Sequence, residues 1–226
     1  MAQPPIYLTK SDLARRHIQG LILSKAVRPG DRITTREVSE ALGMSETPIR
    51  EAIRSLASEG WLEVQSHVGA VVASAGSEQL REIFILRGLI GALAVELGGP
   101  SYDADRLAQI DANVEASVAA VRSGDVEAYT RLNHEFHMLL TDTPNSQWCL
   151  RLLVNLRALT AVHHGFAALP RRMAESLAEH EAIRDAVRRR EFGRAAELIK
   201  QHEQAGFDAL SRAFVGGQHV IAEEAV

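Results

Sequence analysis

The chain has one cysteine, Cys149, in 226 residues. A single thiol excludes an intrachain disulfide framework and fits a reducing compartment. Aromatic residues make up only 5%, while alanine and leucine are plentiful, which favours helix over sheet. No apolar run approaches the roughly 18 residues that a membrane span needs, and no apolar signal core opens the chain. These absences predict a cytoplasmic protein with no membrane partner. A strong excess of charge is also missing. The net charge is −4, which alone does not suggest a nucleic-acid binder. Its placement is uneven, however. Residues 1–74 hold nine Lys/Arg against eight Asp/Glu, and the rest hold sixteen against twenty-one. A mixed front half with local basic clusters can still bind DNA, because the contacts are local.

Helical periodicity begins early. Over residues 8–26, Ala14, Ile18, Leu21 and Ile22 recur at helical spacing until Pro29 and Gly30 break the pattern. Thr34 or Thr35 is placed to cap a short helix over "REVSEALG", which Gly43 ends. Ser45 is placed to cap a third helix, with Pro48 in its first turn, where a missing N–H is tolerated. Its buried stripe is Ile49, Ala52, Ile53 and Leu56. "WLEVQ" and "GAVVA" alternate like two short strands joined by the tip Ser66-His67-Val68-Gly69. This order predicts a winged helix-turn-helix over residues 1–75. From Ser77 onward no strand pattern appears. Six helices are expected near 77–98, 103–123, 125–141, 146–166, 171–190 and 192–215, and the last ten residues are expected to fray. Short connections between them predict an antiparallel all-helical bundle over residues 76–226. The protein is therefore expected to be mainly α.

An α-helix fits the DNA major groove with its N-terminal residues at the base edges. If Ile49, Ile53 and Leu56 face the core, then Thr47, Arg50 and Arg54 project outward. Arg50 and Arg54 are one turn apart and can meet one stretch of phosphates. Arg36, at the start of the preceding helix, can reach the same backbone. His67 and the amide of Gly69 on the wing can meet the minor groove or a neighbouring phosphate. Ser45 and Glu46 complete the helix tip. Glu46 has two roles open to it. A carboxylate in the first turn favours the helix macrodipole, or it can accept a hydrogen bond from cytosine N4.

The run "PGDRI…REVSEALGMSETPIREAIRSLASEGWLEV…VGAVV" resembles the winged helix of the GntR family of bacterial transcription regulators. The helical remainder resembles the ligand-binding domain of the FadR-type (FCD) branch, so the likeness spans about residues 10–215. "S-x-T-P-I-R-E-A-I" is more specific than a generic helix-turn-helix. Arg36, Thr47 and Arg50 match DNA-contacting positions of the family. At Glu46 and Val68 the family more often has Arg.

Histidines supply the second signal. His137 follows Asn133 by four residues, on one face with Tyr129, Phe136 and Leu140, while His134 points about 100° away. His180 lies in the stripe Met173, Leu177, Ile183, Val187. His202 lies in the stripe Leu198, Ile199, Gly206, Leu210. Three inward imidazoles and one inward amide can converge in a bundle, and imidazole suits Zn²⁺, Ni²⁺, Cu²⁺ or Co²⁺. The resemblance implies more. Many FCD domains hold a divalent metal through an Asp-x3-His pair and two later histidines. His137, His180 and His202 match those positions, and Asn133 stands where Asp is usual. The implied ion is Zn²⁺ first, with Ni²⁺, Co²⁺ or Mn²⁺ as further options. Arg87 matches an Arg that often meets effector carboxylates in this branch, although Gly91 stands where a Glu is usual.

The function so implied is a metabolite-responsive transcription regulator, most often a repressor. Its expected partners are a roughly palindromic double-stranded operator, a small carboxylate effector and a second copy in a homodimer. The competing reading is a metal-dependent hydrolase. Against it, "HEFH" at 134–137 lacks HExxH spacing, and no carboxylate shares the histidine stripes to act as general base.

Overall fold

The computed structural model describes residues 8–24, 26–65, 69–74, 76–161 and 170–223. Contacts divide them into two units, the first holding the described residues before Gly76 together with Ala161, and the second the rest from Gly76 onward.

In the first unit, Thr9 caps helix α1 (Lys10–Leu23) through a reciprocal pair of hydrogen bonds with Asp12. Thr34 and Glu37 repeat that device at α2 (Thr35–Leu42), and Gly43 closes the helix at φ 62°. Ser45 holds the N-cap position of α3 (Glu46–Ser58) but its hydroxyl makes no capping bond, so the expected side-chain cap is absent. Ala14, Ile18 and Ile22 of α1 pack with Ile49, Ala52, Ile53 and Leu56 of α3, all buried.

Strands β2 (Leu62–Gln65) and β3 (Gly69–Val72) form the expected antiparallel wing, with Leu62 opposite Val72 and Gln65 opposite Gly69. A third strand, β1 (Arg32–Ile33), pairs with β3, giving the order β1-β3-β2. Two residues are too few for alternation to reveal them. The pairing is dictated by β3, whose outer edge would otherwise leave backbone groups unmet.

The second unit holds α4 (Ser77–Gly98), α5 (Ala104–Ser123), α6 (Val126–Thr141), α7 (Gln147–Ala161), α8 (Pro170–Arg188) and α9 (Phe192–Glu223). Asp103 and Asp125 cap α5 and α6 through their side chains, and Gly124 ends α5 in the left-handed region. α9 extends eight residues past the expected end at 215. "GGQHVIAE" opens with two glycines that weaken a helix by about 1 kcal/mol each, but it carries no proline to stop one already running.

Phe136, Tyr129, Leu140, Ile110, Val114, Ile183, Val187 and Ile199 form the centre of the core. α9 lies unusually close to α4. A Cβ at Gly91 would sit 3.1 Å from Ile199 Cγ2, and one at Gly88 would sit 3.3 Å from Lys200 Cα. Glycine at both positions is what lets the two helices approach. By length and composition α4 is also apolar enough to cross a membrane, contrary to the sequence expectation. Half of its apolar window is buried inside this unit. The rest is an exposed stripe of Leu86, Leu89, Leu93 and Leu97.

Candidate functional site

The tip of α3 presents the expected surface. Ser45, Glu46, Thr47, Arg50 and Arg54 are exposed, as is Arg36 on α2. Two of the cations are already engaged. Arg50 donates to Glu46 at 2.8 Å, and Arg36 donates to Glu40 at 2.8 Å, each pair one helical turn apart. Glu46 thus holds the Arg50 guanidinium, the ion pair that its spacing of four residues allows on a solvated helix face. Arg54 has no ion pair among the described residues. Gly69 begins β3 at φ 103°, a conformation that L side chains rarely adopt. His67 lies outside the described residues. Sequence reasoning missed Arg32. Its Nε would be 3.6 Å from a Cβ at Gly69, which places a cation beside the wing. The signal was hidden because β1 was not recognised.

In the second unit the three histidines meet. Burial leaves His137, His180 and His202 at 2%, 1% and 6% exposure. The rings of His180 and His202 are 4.8 Å apart between centroids, and those of His137 and His202 are 5.1 Å apart. One ligand atom from each lies within 4.8 Å of the others. His180 stacks on Phe136 at 4.0 Å, which fixes its plane.

The hydrogen bonds define which nitrogens face inward. His202 Nδ1 lies 2.6 Å from Glu179 Oε2. A carboxylate accepts, so the proton of this bond sits on Nδ1, and in a neutral ring Nε2 is the nitrogen that offers a lone pair. That Nε2 faces His137 Nε2 at 3.3 Å. Two nitrogens bound to one tetrahedral Zn²⁺ at about 2.0–2.1 Å would be roughly that far apart. Among the described residues, both nitrogens of His180 are buried without a hydrogen-bond partner, and so is Asn133 Oδ1. Buried polar atoms without partners are costly. A cation among these atoms would satisfy them, so the residues present fit a divalent metal. Burial, then Arg157, holds His137 well below the usual imidazole range. Burial, then His202 and Arg172, does the same for His180. Both rings are therefore neutral and available as ligands.

Glu179 brings a carboxylate to the histidines without sharing their stripes. It sits one residue before His180, off that helix's inward stripe, yet reaches across from α8 to His202 on α9. It is not a free base. Arg172 grips both its oxygens, at 2.7 and 2.5 Å. Burial raises the Glu179 carboxyl, but the bonds from His202 and Arg172 outweigh this and keep it below the usual carboxylate range.

Arg87 is not open to a ligand as expected. It is 9% exposed. It pairs with Glu203 at 2.8 Å and donates to Thr160 Oγ1 at 2.7 Å. Arg157 joins the same carboxylate at 3.1 Å. Burial raises Glu203, and the two guanidiniums more than reverse that. Sequence periodicity did not place Arg157, Arg172, Glu179 or Glu203 in the site, because each side chain reaches its partner from beside an apolar stripe. A separate open groove of about 560 Å³ lies on the α5–α6 face, with His134 and Arg106 among its lining residues. It contains none of the three clustered histidines.

Comparison with known proteins matches residues 10–72 to the gntR family of bacterial regulatory proteins and residues 82–205 to the FCD domain. The uncharacterized HTH-type transcriptional regulator YdhC of Bacillus subtilis is 28% identical over 193 residues, covering 84% of each chain. The HTH-type transcriptional regulator McbR of Escherichia coli is 28% identical over 161 residues, covering 70% of this chain and 73% of that one. The solved structure of E. coli McbR/YncC superposes with a TM-score of 0.76 at 22% identity, over 92% of this chain and 100% of that one. The matched families and these relatives are transcription regulators, not enzymes.

Proposed function

The chain belongs to the FCD-domain family and carries a gntR-type DNA-binding domain, and from that premise we propose a repressor controlled by a small acid bound beside a divalent metal. Residues 1–75 read DNA and residues 76–226 bind the effector and a second copy. The observation that carries the metal reading is His180, whose two buried nitrogens have no hydrogen-bond partner among the described residues. His137, His180 and His202 would hold the ion, with Asn133 Oδ1 as a weak fourth ligand and Zn²⁺ as the best fit to this donor set. When bound, the ion supplies positive charge that attracts an acid effector. Glu179 and Arg172 keep His202 in the tautomer that offers Nε2. The hydrolase reading has no support, since Glu179 is held by Arg172.

A homodimer is favoured by the exposed leucine stripe of α4 and by Trp148 and Leu152 of α7, which are 76% and 53% exposed. Exposed apolar side chains gathered on one face are what an interaction surface offers. A dimer sets two recognition helices in successive major grooves of a roughly palindromic operator. The effector acts by binding one arrangement of the dimer more tightly than another.

Gel shifts on the operator test the DNA half. Arg50→Ala is expected to weaken binding by about 1–3 kcal/mol per helix and to lower the salt slope by about one if the contact is to phosphate. Unchanged affinity at two salt concentrations would remove Arg50 from the interface. Glu46→Gln frees Arg50 from its 2.8 Å pair. It is expected to raise affinity for random-sequence DNA on the order of 1 kcal/mol, with a smaller rise on the operator. An equal rise on both would mean that Glu46 contributes nothing to specificity.

A further inference from the structure

The sheet of the first unit carries a cation that no contact within that unit uses. Arg32 opens β1, the two-residue edge strand that leads into the Thr34 cap of α2. It lies opposite Val71 of β3, and Val71 lies opposite Glu63 of β2. Paired residues of neighbouring strands point to one side of a sheet, as do residues two apart along a strand. Arg32, Glu63 and Gly69 therefore share a face. The guanidinium is laid along that face toward the start of β3. Its Nε and Nη2 are 3.6 and 3.8 Å from where a Cβ at Gly69 would stand. Glycine there leaves no side chain between the cation and the wing backbone.

Arg32 is exposed, and among the described residues it makes no hydrogen bond or ion pair. This sets it apart from Arg36 and Arg50, which are held by Glu40 and Glu46. The carboxylates placed around it are engaged or out of line. Asp31 accepts from the Arg28 backbone N–H at 2.8 Å. Glu37 accepts from the Thr34 backbone N–H at 3.1 Å. The bonds from Thr34, and then the charge of Arg32, hold the Glu37 carboxyl below its usual range. That effect places the cation near the first turn of α2 as well as near the wing. Glu63 lies beyond Val71, on the far strand. A guanidinium offers five donors in a rigid fork that matches a phosphate, and all five are open here.

We propose that Arg32 is a phosphate-binding residue of the DNA interface, a contact from the sheet edge that adds affinity without reading sequence. This rests on the reading of residues 1–75 as the DNA-binding unit. Its place sets the class of contact. Arg32 stands between Arg36 at the start of α2 and Gly69 at the start of β3, the two points at which the DNA backbone is expected. A strand that meets both also meets the guanidinium between them. Base edges are left to the tip of α3, because the side chain lies against the sheet and not at the end of the helix that enters the groove.

The test is a fluorescence anisotropy titration of the full-length protein on two duplexes of equal length, over a range of salt concentrations. One duplex is the sequence that the parent protein selects from a random library, and the other is mixed sequence. Arg32→Gln keeps the length of the side chain and removes its charge. It is expected to weaken both duplexes by a similar factor, roughly tenfold, and to lower the slope of log affinity against log salt by about one per protomer. Arg32→Lys is expected to keep the slope and most of the affinity, since an ammonium also binds phosphate as a point charge. Both variants should unfold like the parent, because the side chain is exposed and makes no bond that either would lose. An unchanged slope in Arg32→Gln, with Arg50→Ala still weakening the selected duplex, would take Arg32 off the DNA and leave the recognition helix standing. A loss confined to the selected duplex would make Arg32 a reader of bases and overturn the phosphate contact. Arg32→Lys as weak as Arg32→Gln, or Arg32→Gln unfolding well below the parent, would show that charge is not what matters and would also overturn it. A parent protein that binds neither duplex at any salt concentration would overturn the DNA-binding reading itself.

Discussion

His180→Leu is expected to abolish metal uptake while making the chelator-treated protein more stable, by roughly 0.5–5.5 kcal/mol. Two opposing terms set that figure. The substitution removes two buried nitrogens that have no partner, each a desolvation cost on the order of 1–3 kcal/mol. It also loses the 4.0 Å stack on Phe136, on the order of 0.5–1.5 kcal/mol. The parent protein is expected to gain about 2.7 kcal/mol when free Zn²⁺ reaches a hundred times its dissociation constant, and the variant nothing. Thermal unfolding with chelator and with Zn²⁺, alongside metal content by mass spectrometry, reads both effects. If the variant unfolds well below the parent in chelator, and the parent gains nothing from metal, His180 is a satisfied structural residue and the metal site is lost as an explanation.

Much of this arrangement was legible in the sequence, and the reason is periodicity. His137, His180 and His202 each fall on the apolar stripe of their own helix, so placing the helices inward was enough to bring them together. Thr34, Gly43 and the tip of α3 could be located for a related reason. Capping and turn chemistry are local, and local rules survive folding. The residues that were missed share the opposite property. Glu179 sits beside His180 but is used by His202, 23 residues away. Arg157 and Glu203 are 46 residues apart. Long charged side chains can reach several ångströms sideways from their helix. No pattern along one helix reveals a partner on another. β1 escaped for a third reason. It exists because β3 has an edge to cover, and that need is invisible in Arg32 and Ile33 themselves.

The long reach of these side chains also decides where the second unit is most vulnerable. Glu203→Gln is expected to cost about 3–5 kcal/mol, the usual penalty for removing one partner of a buried pair. At roughly 2–4 °C per kcal/mol for a domain of this size, the unfolding midpoint should fall by about 6–20 °C. Arg87 and Arg157 both depend on this carboxylate, at 2.8 and 3.1 Å. They come from α4 and α7, whereas Glu203 is on α9, so the carboxylate ties three helices at one point. Thr160 Oγ1 still accepts from Arg87 at 2.7 Å, but a hydroxyl brings no charge. Two guanidiniums would then face each other without compensation. The informative control replaces all three residues at once with apolar side chains of similar size, Arg87→Met, Arg157→Met and Glu203→Leu. That variant has no stranded charge, and its stability should recover to near that of the parent or above. Circular dichroism through thermal unfolding separates the cases. If Glu203→Gln unfolds within a degree of the parent, the carboxylate's charge is not what holds the two arginines. If the triple replacement is as unstable as Glu203→Gln alone, the loss reflects packing around α9, not electrostatics.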